Sequence, residues 1–276
     1  VKPTLFIWNQ NSFRNPFYNL SIEESIALHL NDFSLDSCLR FWRNHNSAVI
    51  GISDSYTKNI PSHLISVFED QFDELKKNYK LKEDSFYICR RASGGGTVFH
   101  DKEYNLNYSI FASSKQRPDI YPVKDSYKIL LGLITKTLSK QNILSDQFGK
   151  SDLGIEVGGI IKKISGNAQF RKKDFVVQHG TLILNEKLLE KVSQTLNHPP
   201  EEPEYRQKRN HKEFLTSLPN RFKIQNFIDD LSKITSEEFN LERTETKNIL
   251  FVKQVLKTAK ILYKEKYASK EYIFRT

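Results

Sequence analysis

Methionine is absent from all 276 residues, position 1 included, where ordinary usage would supply several; that oddity of composition assigns neither fold nor function. Cysteine is scarce. Cys38 and Cys89 each lie within an apolar, strand-like run, which excludes a disulfide framework and suits a reducing compartment. No run approaches the roughly 18 apolar residues that a membrane span needs, and the first residues lack a basic-then-apolar export pattern. The expected location is the cytoplasm, or an organelle matrix in a eukaryote. His29, His45, His63, His198 and His211 show no zinc-site spacing with cysteines or carboxylates, so a structural metal is not expected. Internal repeats and low-complexity tracts are also missing.

What is present is a globular composition, 38% apolar, with a formal charge of +9. That charge favours an acidic partner. A nucleic-acid binder would gather its basic residues with aromatics in a compact module, and none is found, so neither nucleic acid nor membrane is an expected partner and an acidic protein substrate fits better.

Asn15-Pro16 followed by Leu20, Ile22, Ile26 and Leu30 predicts a capped helix with one face inward and Glu23-Glu24 near its positive end. Leu39–Arg43 and Ala48–Gly51 read as two strands of a hairpin. Pro61 to Tyr79 has helical spacing, Phe86–Cys89 and Leu106–Phe111 read as strands, and Asp125 opens the strongest amphipathic helix. Short strands are expected at 155–157, 162–165, 175–177 and 181–184. The Pro-Glu run at 199–206 fits a surface crossing or an arm that guides a partner, and helices are expected over 222–234 and 247–267. The fold class expected from these elements is α+β with mixed β-sheets flanked by helices, in one domain over residues 1–276.

Two segments carry chemistry. In the first, Arg90-Arg91-Ala92-Ser93-Gly94-Gly95-Gly96 leads to His100-Asp101. Three residues without Cβ let backbone N–H groups approach a ligand closely. A bare glycine hairpin is the alternative, but the polar flanks favour a binding loop for an anionic or polar head group. In the second, Gly149-Lys150-Ser151-Asp152 precedes Lys162-Lys163-Ile164-Ser165-Gly166-Asn167-Ala168-Gln169 and Gln178-His179-Gly180-Thr181. Lys163, with small neighbours, could stabilise negative charge on a carbonyl or phosphate oxygen, and Asp152 could hold Mg²⁺ together with phosphate oxygens. Taken alone, Lys162-Lys163 would better suit a solvated sheet edge, with Asp152 a turn residue.

In this order, RRASGGGTVFHD, Asn105-Leu106-Asn107-Tyr108, GKSDL, KKISGNAQ and QHGTLIL resemble the lipoate–protein ligase A family, with similarity from the Asn15-Pro16 helix to about Leu184. The resemblance implies a biotin/lipoate ligase catalytic domain, related in shape to class II aminoacyl-tRNA synthetases. It implies activation of lipoate or octanoate with ATP and Mg²⁺ to an acyl-adenylate, then transfer to a lysine of a lipoyl domain. The implied acceptors are lipoyl domains of 2-oxoacid dehydrogenase E2 subunits and the glycine cleavage H protein. By motif, Arg90, Ser93, Gly94, Gly95, Gly96 and His100 would wrap the acyl chain and its activated head, with Ser165, Ala168, His179 and Gly180 lining the same pocket. Lys163 would be catalytic, and Ser151 and Asp152 would lie near nucleotide and metal.

The sequence departs from the family pattern at Ile52-Ser53-Asp54-Ser55-Tyr56 and at Lys150-Ser151, which bears on nucleotide affinity. It stops about where many relatives continue into an accessory domain, so that domain is expected to be absent or supplied by a separate protein. Two rival functions remain at this stage. One is an ATP-independent lipoyl or octanoyl transferase between carrier domains; its cysteine-dependent form is disfavoured by the positions of Cys38 and Cys89. The other is a non-catalytic lipoyl-binding homologue. Lipoate and octanoate differ at the distal end, which the sequence alone leaves open.

Overall fold

Alternating residues build a large sheet whose two faces have different chemistry. In the computed structural model, which describes residues 3–77, 85–244 and 249–275 apart from the side chains of Asn11 and Phe13, the chain begins with β1 (Thr4–Arg14), α1 (Pro16–His29), β2 (Ser37–Asn44) and β3 (Ser47–Ile50). Next come α2 (Tyr56–Asn59), α3 (Ser62–Lys77), β4 (Tyr87–Arg90), β5 (Val98–His100), β6 (Asn105–Ser113) and α4 (Val123–Ser139). Then follow β7 (Asp146–Phe148), β8 (Asp152–Val157), β9 (Ile160–Lys172), β10 (Phe175–Ile183), α5 (Lys187–Thr195) and α6 (His211–Phe214). The remainder is α7 (Ile224–Glu238), β11 (Glu242–Thr244), α8 (Ile249–Leu262) and α9 (Lys270–Ile273).

The strands form an eight-stranded sheet of order β11-β1-β2-β6-β10-β9-β8-β7 and a three-stranded sheet of order β4-β3-β5. Both are mixed, since β1 pairs parallel with β2 and β11 and β3 pairs parallel with β4, while the other ladders are antiparallel. This is the expected α+β class.

On one face of the large sheet, Leu39, Phe41, Leu106, Tyr108, Ile110, Val176 and Leu182 pack against apolar residues of α4 and α7. On the other face, Phe6, Cys38, Phe111, Phe175 and Val177 pack against α1 and α8. Further along that second face the alternation places Asn105, Asn107 and Ser109 of β6 beside His179 and Thr181 of β10. These polar groups are buried or nearly so, and they form a hydrophilic floor inside the molecule. The small sheet, with α1, α3, α5 and the chain's last turns, makes a separate apolar cluster above it.

Several expectations change. The two strands at 39–43 and 48–51 are not a hairpin: β2 belongs to the large sheet and β3 to the small one, so His45-Asn46 carries the chain between sheets. Helix α1 is begun as expected, with Asn15 Oδ1 accepting from the amides of Phe17 and Tyr18 and Pro16 in the first turn, a cap worth about 1 kcal/mol. It does not bury one face only. Residues Leu20 to Ala27 are buried on every side, because sheet, α8 and small sheet surround it. Glu23 and Glu24 lie beyond the first turn and are held by side chains instead of the helix dipole.

The expected strands at 175–177 and 181–184 are one strand, β10, since Gln178-His179-Gly180 stays in register with β6 and β9. The glycine loop is followed at once by an unforeseen strand, β5. Helix α4 opens two residues earlier than Asp125. Tyr79 and Lys247, expected as helix ends, lie outside the described residues.

Candidate functional site

The glycine loop and the Lys163 segment line the same cavity, of about 570 Å³. Its floor is the polar stretch of the large sheet. One wall is the loop between β4 and β5, another is α5 and α6, and the mouth is edged by 149–152 and by the 199–206 arm.

The loop sits close to β3 because Gly51 has no side chain. A Cβ there would stand 1.9 Å from the carbonyl oxygen of Gly95, itself at φ +84°, and backbone cannot yield that distance. Arg91 then staples the loop: Nη2 donates to the carbonyls of Gly94 (2.6 Å) and Gly96 (2.8 Å), Nη1 to Val49 (3.0 Å), and Nε to Ser93 Oγ (2.8 Å). Burial drives the Arg91 guanidinium down to about 10, still charged at neutral pH.

Under the loop, His179 bridges two partners. Its Nδ1 lies 2.8 Å from Glu23 Oε2 and its Nε2 2.7 Å from Ser93 Oγ. Burial alone would raise the Glu23 carboxyl, but the charge of His179 and hydrogen bonds from His179 and Ser109 outweigh it and hold the group below the usual range. Ser93 is 1% exposed and stands behind the cavity wall, so this Ser-His-Glu array orients His179 and offers no open nucleophile.

At the mouth, Lys163 Nζ sits 2.8 Å from Asp152 Oδ1, and Tyr205 Oη donates to Asp152 Oδ2 at 2.8 Å. The lysine stem folds over Gly166, where a Cβ would lie 3.0 Å from Nζ. Phe148 and Phe214 flank Tyr205, and Arg206 and Arg209 stack on Phe214. Burial and the Asp152 charge push the Tyr205 phenol up, so it acts as a donor. Lys150, Lys163 and Arg206 line this end together with Asp152, Glu201, Glu202 and Glu204. Arg206 is paired to Glu202 and Lys163 to Asp152, so the amines of Lys150 and Lys163 are the groups suited to phosphate oxygens. For a metal, Asp152 supplies one carboxylate, and no cluster of three or more His, Cys, Asp or Glu is found among the described residues. A single carboxylate fits Mg²⁺ that arrives on phosphates, not a protein-built cage.

Of the residues expected at the site, Gly95, Gly96, His100, Ser151, Asp152, Lys163, Ala168, His179 and Gly180 line the cavity. Ser93, Gly94 and Ser165 stand just behind it, and Arg90 does not reach it at all. The Arg90 placement is a correction. It is fully buried at the end of β4 and donates to the carbonyls of Gly51, Ile52, Asp54, Ile273 and Arg275 at 2.7–3.2 Å, facing away from the cavity. Adjacent side chains leave a strand on opposite sides, so only one of the two arginines can serve the loop. Trp42, Asn107 and Thr181 are the floor residues that motif reading left unassigned. Their period-2 spacing with Arg40, Ser109 and His179 was the available signal. Cys38 and Cys89 are buried away from the cavity, and burial pushes both thiols up, which disfavours a cysteine nucleophile.

Among the described residues no helix is long and apolar enough to cross a membrane. The family model described as the lipoyl protein ligase A/B catalytic domain matches residues 15–240. The lipoate-protein ligase LplJ of Bacillus subtilis is 29% identical over 236 residues, covering 85% of this chain and 60% of that protein. Lipoate-protein ligase A of Blochmanniella floridana is 32% identical over 171 residues, covering 62% of this chain and 43% of that protein, so the chain spans about half the length of these curated relatives. Among solved structures, a bipartite lipoate protein ligase from Thermoplasma acidophilum, described with its E2 lipoyl domain, superposes with a TM-score of 0.72 at 20% identity, over 99% of this chain and 96% of that one. A lipoate-protein ligase A bound with ATP superposes with a TM-score of 0.65 at 19% identity, over 99% of both chains. At those identities the likeness concerns the fold.

Proposed function

We propose, from the premise that this chain belongs to the lipoyl protein ligase A/B catalytic domain family, that it is a lipoate–protein ligase acting as one catalytic domain over residues 1–276. It activates lipoate, or octanoate, with ATP to an acyl-adenylate and passes the acyl group to a lysine of an acidic lipoyl domain. The observation that carries this reading is that the Lys163–Asp152 pair and the glycine loop line one and the same cavity.

The acid lies along the floor with its carboxylate beside the Lys163 ammonium. Activation brings two anions together, the carboxylate and the triphosphate. Lys163 and Lys150 offset that repulsion, and Mg²⁺ bound to the phosphates beside Asp152 and Ser151 would supply further charge neutralisation. Asp152 and Tyr205 keep the Lys163 amine in place until the nucleotide competes for it. In the second step the acceptor lysine attacks the mixed anhydride, AMP leaves, and no protein nucleophile is needed; Lys163 stabilises charge on the carbonyl oxygen and the walls orient the carbon. The acceptors this chemistry suits are E2 lipoyl domains and the glycine cleavage H protein.

The test is Lys163→Ala, assayed with lipoate, ATP, Mg²⁺ and an apo lipoyl domain. Acyl transfer and pyrophosphate release should fall by roughly 10²–10³-fold while the circular dichroism stays native. Near-normal turnover would remove Lys163 from this role. Transfer from a preloaded carrier with no pyrophosphate released would identify an ATP-independent transferase instead.

A further inference from the structure

Across the cavity floor, one row of paired residues runs Trp42, Asn107, Thr181, Gly166 and Asp152, each on the neighbouring strand and all on the same face. Lys163 Nζ lies over Gly166 at the outer end. Trp42 closes the inner end, its Nε1 already donating to Ser109. Strands are about 4.8 Å apart, so Asn107 is roughly 10 Å inward from the Lys163 end. Seven C–C bonds of about 1.5 Å, drawn out in zigzag, give an eight-carbon acid a reach of roughly 9 Å. The row is therefore a ruler that ends at Asn107 and Trp42.

Asn107 is 1% exposed, and its Nδ2 has no hydrogen-bond partner. Its orientation is dictated from a distance. The Arg40 guanidinium can only donate, and its Nη2 gives to Asn19 Oδ1 at 2.6 Å. Asn19 Nδ2 must then donate to Asn44 Oδ1 (2.9 Å), which turns Asn44 Nδ2 onto His100 Nδ1 (3.0 Å). Burial, with Arg91 and His179 nearby, holds His100 neutral. With Nδ1 accepting, Nε2 donates to Thr181 Oγ1 (2.9 Å), and the Thr181 hydroxyl donates to Asn107 Oδ1 (2.7 Å). Asn105 Nδ2 adds a second donor to that same oxygen. The amide oxygen is saturated, and Nδ2 is the atom left without a partner on a residue that lines the cavity.

An unpaired buried donor costs about 1–3 kcal/mol, and a saturated alkyl end cannot relieve it. We infer that Asn107 is a specificity residue whose Nδ2 donates to a dithiolane sulfur of lipoate, so that the site selects the sulfur-bearing acid over octanoate. Rested on the ligase reading for the position of the carboxylate, this deepens that reading at the far end of the chain. Sulfur is a weak acceptor, so the preference is of the order of tenfold and not the much larger ratios of sites built around a hydroxyl.

The test is calorimetric binding of lipoate and octanoate to the whole chain, without nucleotide. The native protein should bind lipoate about tenfold more tightly. Asn107→Leu, similar in volume and without the amide, should weaken lipoate, spare octanoate and bring the two affinities together. If Asn107→Leu does not fold, as thermal unfolding would reveal, Asn107→Ala, which also lacks a side-chain donor, is measured in its place with the same expected convergence. A native protein without preference overturns the inference, and so does a folded variant that keeps the native ratio. Binding of neither acid would overturn the ligase reading as well. Selective, Asn107-dependent lipoate binding with no pyrophosphate release on adding ATP would sink the ligase reading alone.

Discussion

Burial, with the charges of Arg91 and His179, pushes the His100 imidazole down to about 3 from an ordinary 6.5. The folded value lies below the unfolded one, so between pH 6.5 and about 3 the unfolded chain binds the extra proton. Stability from this residue is complete above 6.5 and is lost as the pH falls, at up to about 1.4 kcal/mol per pH unit. Urea midpoints measured from pH 7 to 5 should decline more steeply in the native protein than in His100→Gln, which carries no titratable ring. Equal slopes would mean that His100 is already charged in the fold. The same residue scale shows where motif reading succeeds and fails. Lys163, Asp152 and Gly95 stood out by residue type and local sequence, whereas His179 was placed only by the resemblance to the ligase family. Arg90 and Arg91 were indistinguishable, since which side of β4 faces the cavity depends on the sheet it joins.

Arg90 makes its contribution at the scale of elements. Its guanidinium ties the turn after β3 to the carbonyls at the end of α9, two segments far apart in sequence. Five carbonyls lose their shared donor in Arg90→Ala, which should destabilise the protein by about 3 kcal/mol. Hydrogen exchange at 270–275 should rise first, and Arg90→Lys should not restore protection, because an ammonium lacks the planar fork that spans both segments. Unchanged exchange there would show that α9 is held by its apolar contacts alone. Elements with strong local signals, such as α1 behind its Asn15-Pro16 cap and α4 with its apolar face, were legible almost to the residue. The pairing of β2 and β3 was not, because a three-residue polar link suits a hairpin and a sheet-to-sheet crossing equally well.

For the whole molecule, the net charge of +9 bears on the acceptor in the proposed function. The KM for an acidic lipoyl domain should rise several-fold between about 0.05 and 0.5 M salt, where screening shortens from beyond 10 Å to a few ångströms. The KM for lipoate, bound in a buried cavity, should barely move. A salt-independent acceptor KM would mean that the surface charge plays no part in docking.

Composition and local pattern determined the α+β class, the lack of a disulfide framework and the glycine loop, because glycine runs, caps and periodicity act through nearest neighbours in the chain. The ordered motifs, through their family resemblance, added the Lys163 segment. Only the tertiary structure decided which arginine serves the loop, that Glu23 and Ser93 hold His179, and that Asn107 is left with a free donor two strands from Lys163. Those outcomes depend on strand register and on hydrogen bonds between residues up to 185 positions apart. Burial makes each such bond obligatory, and no window of sequence contains both partners.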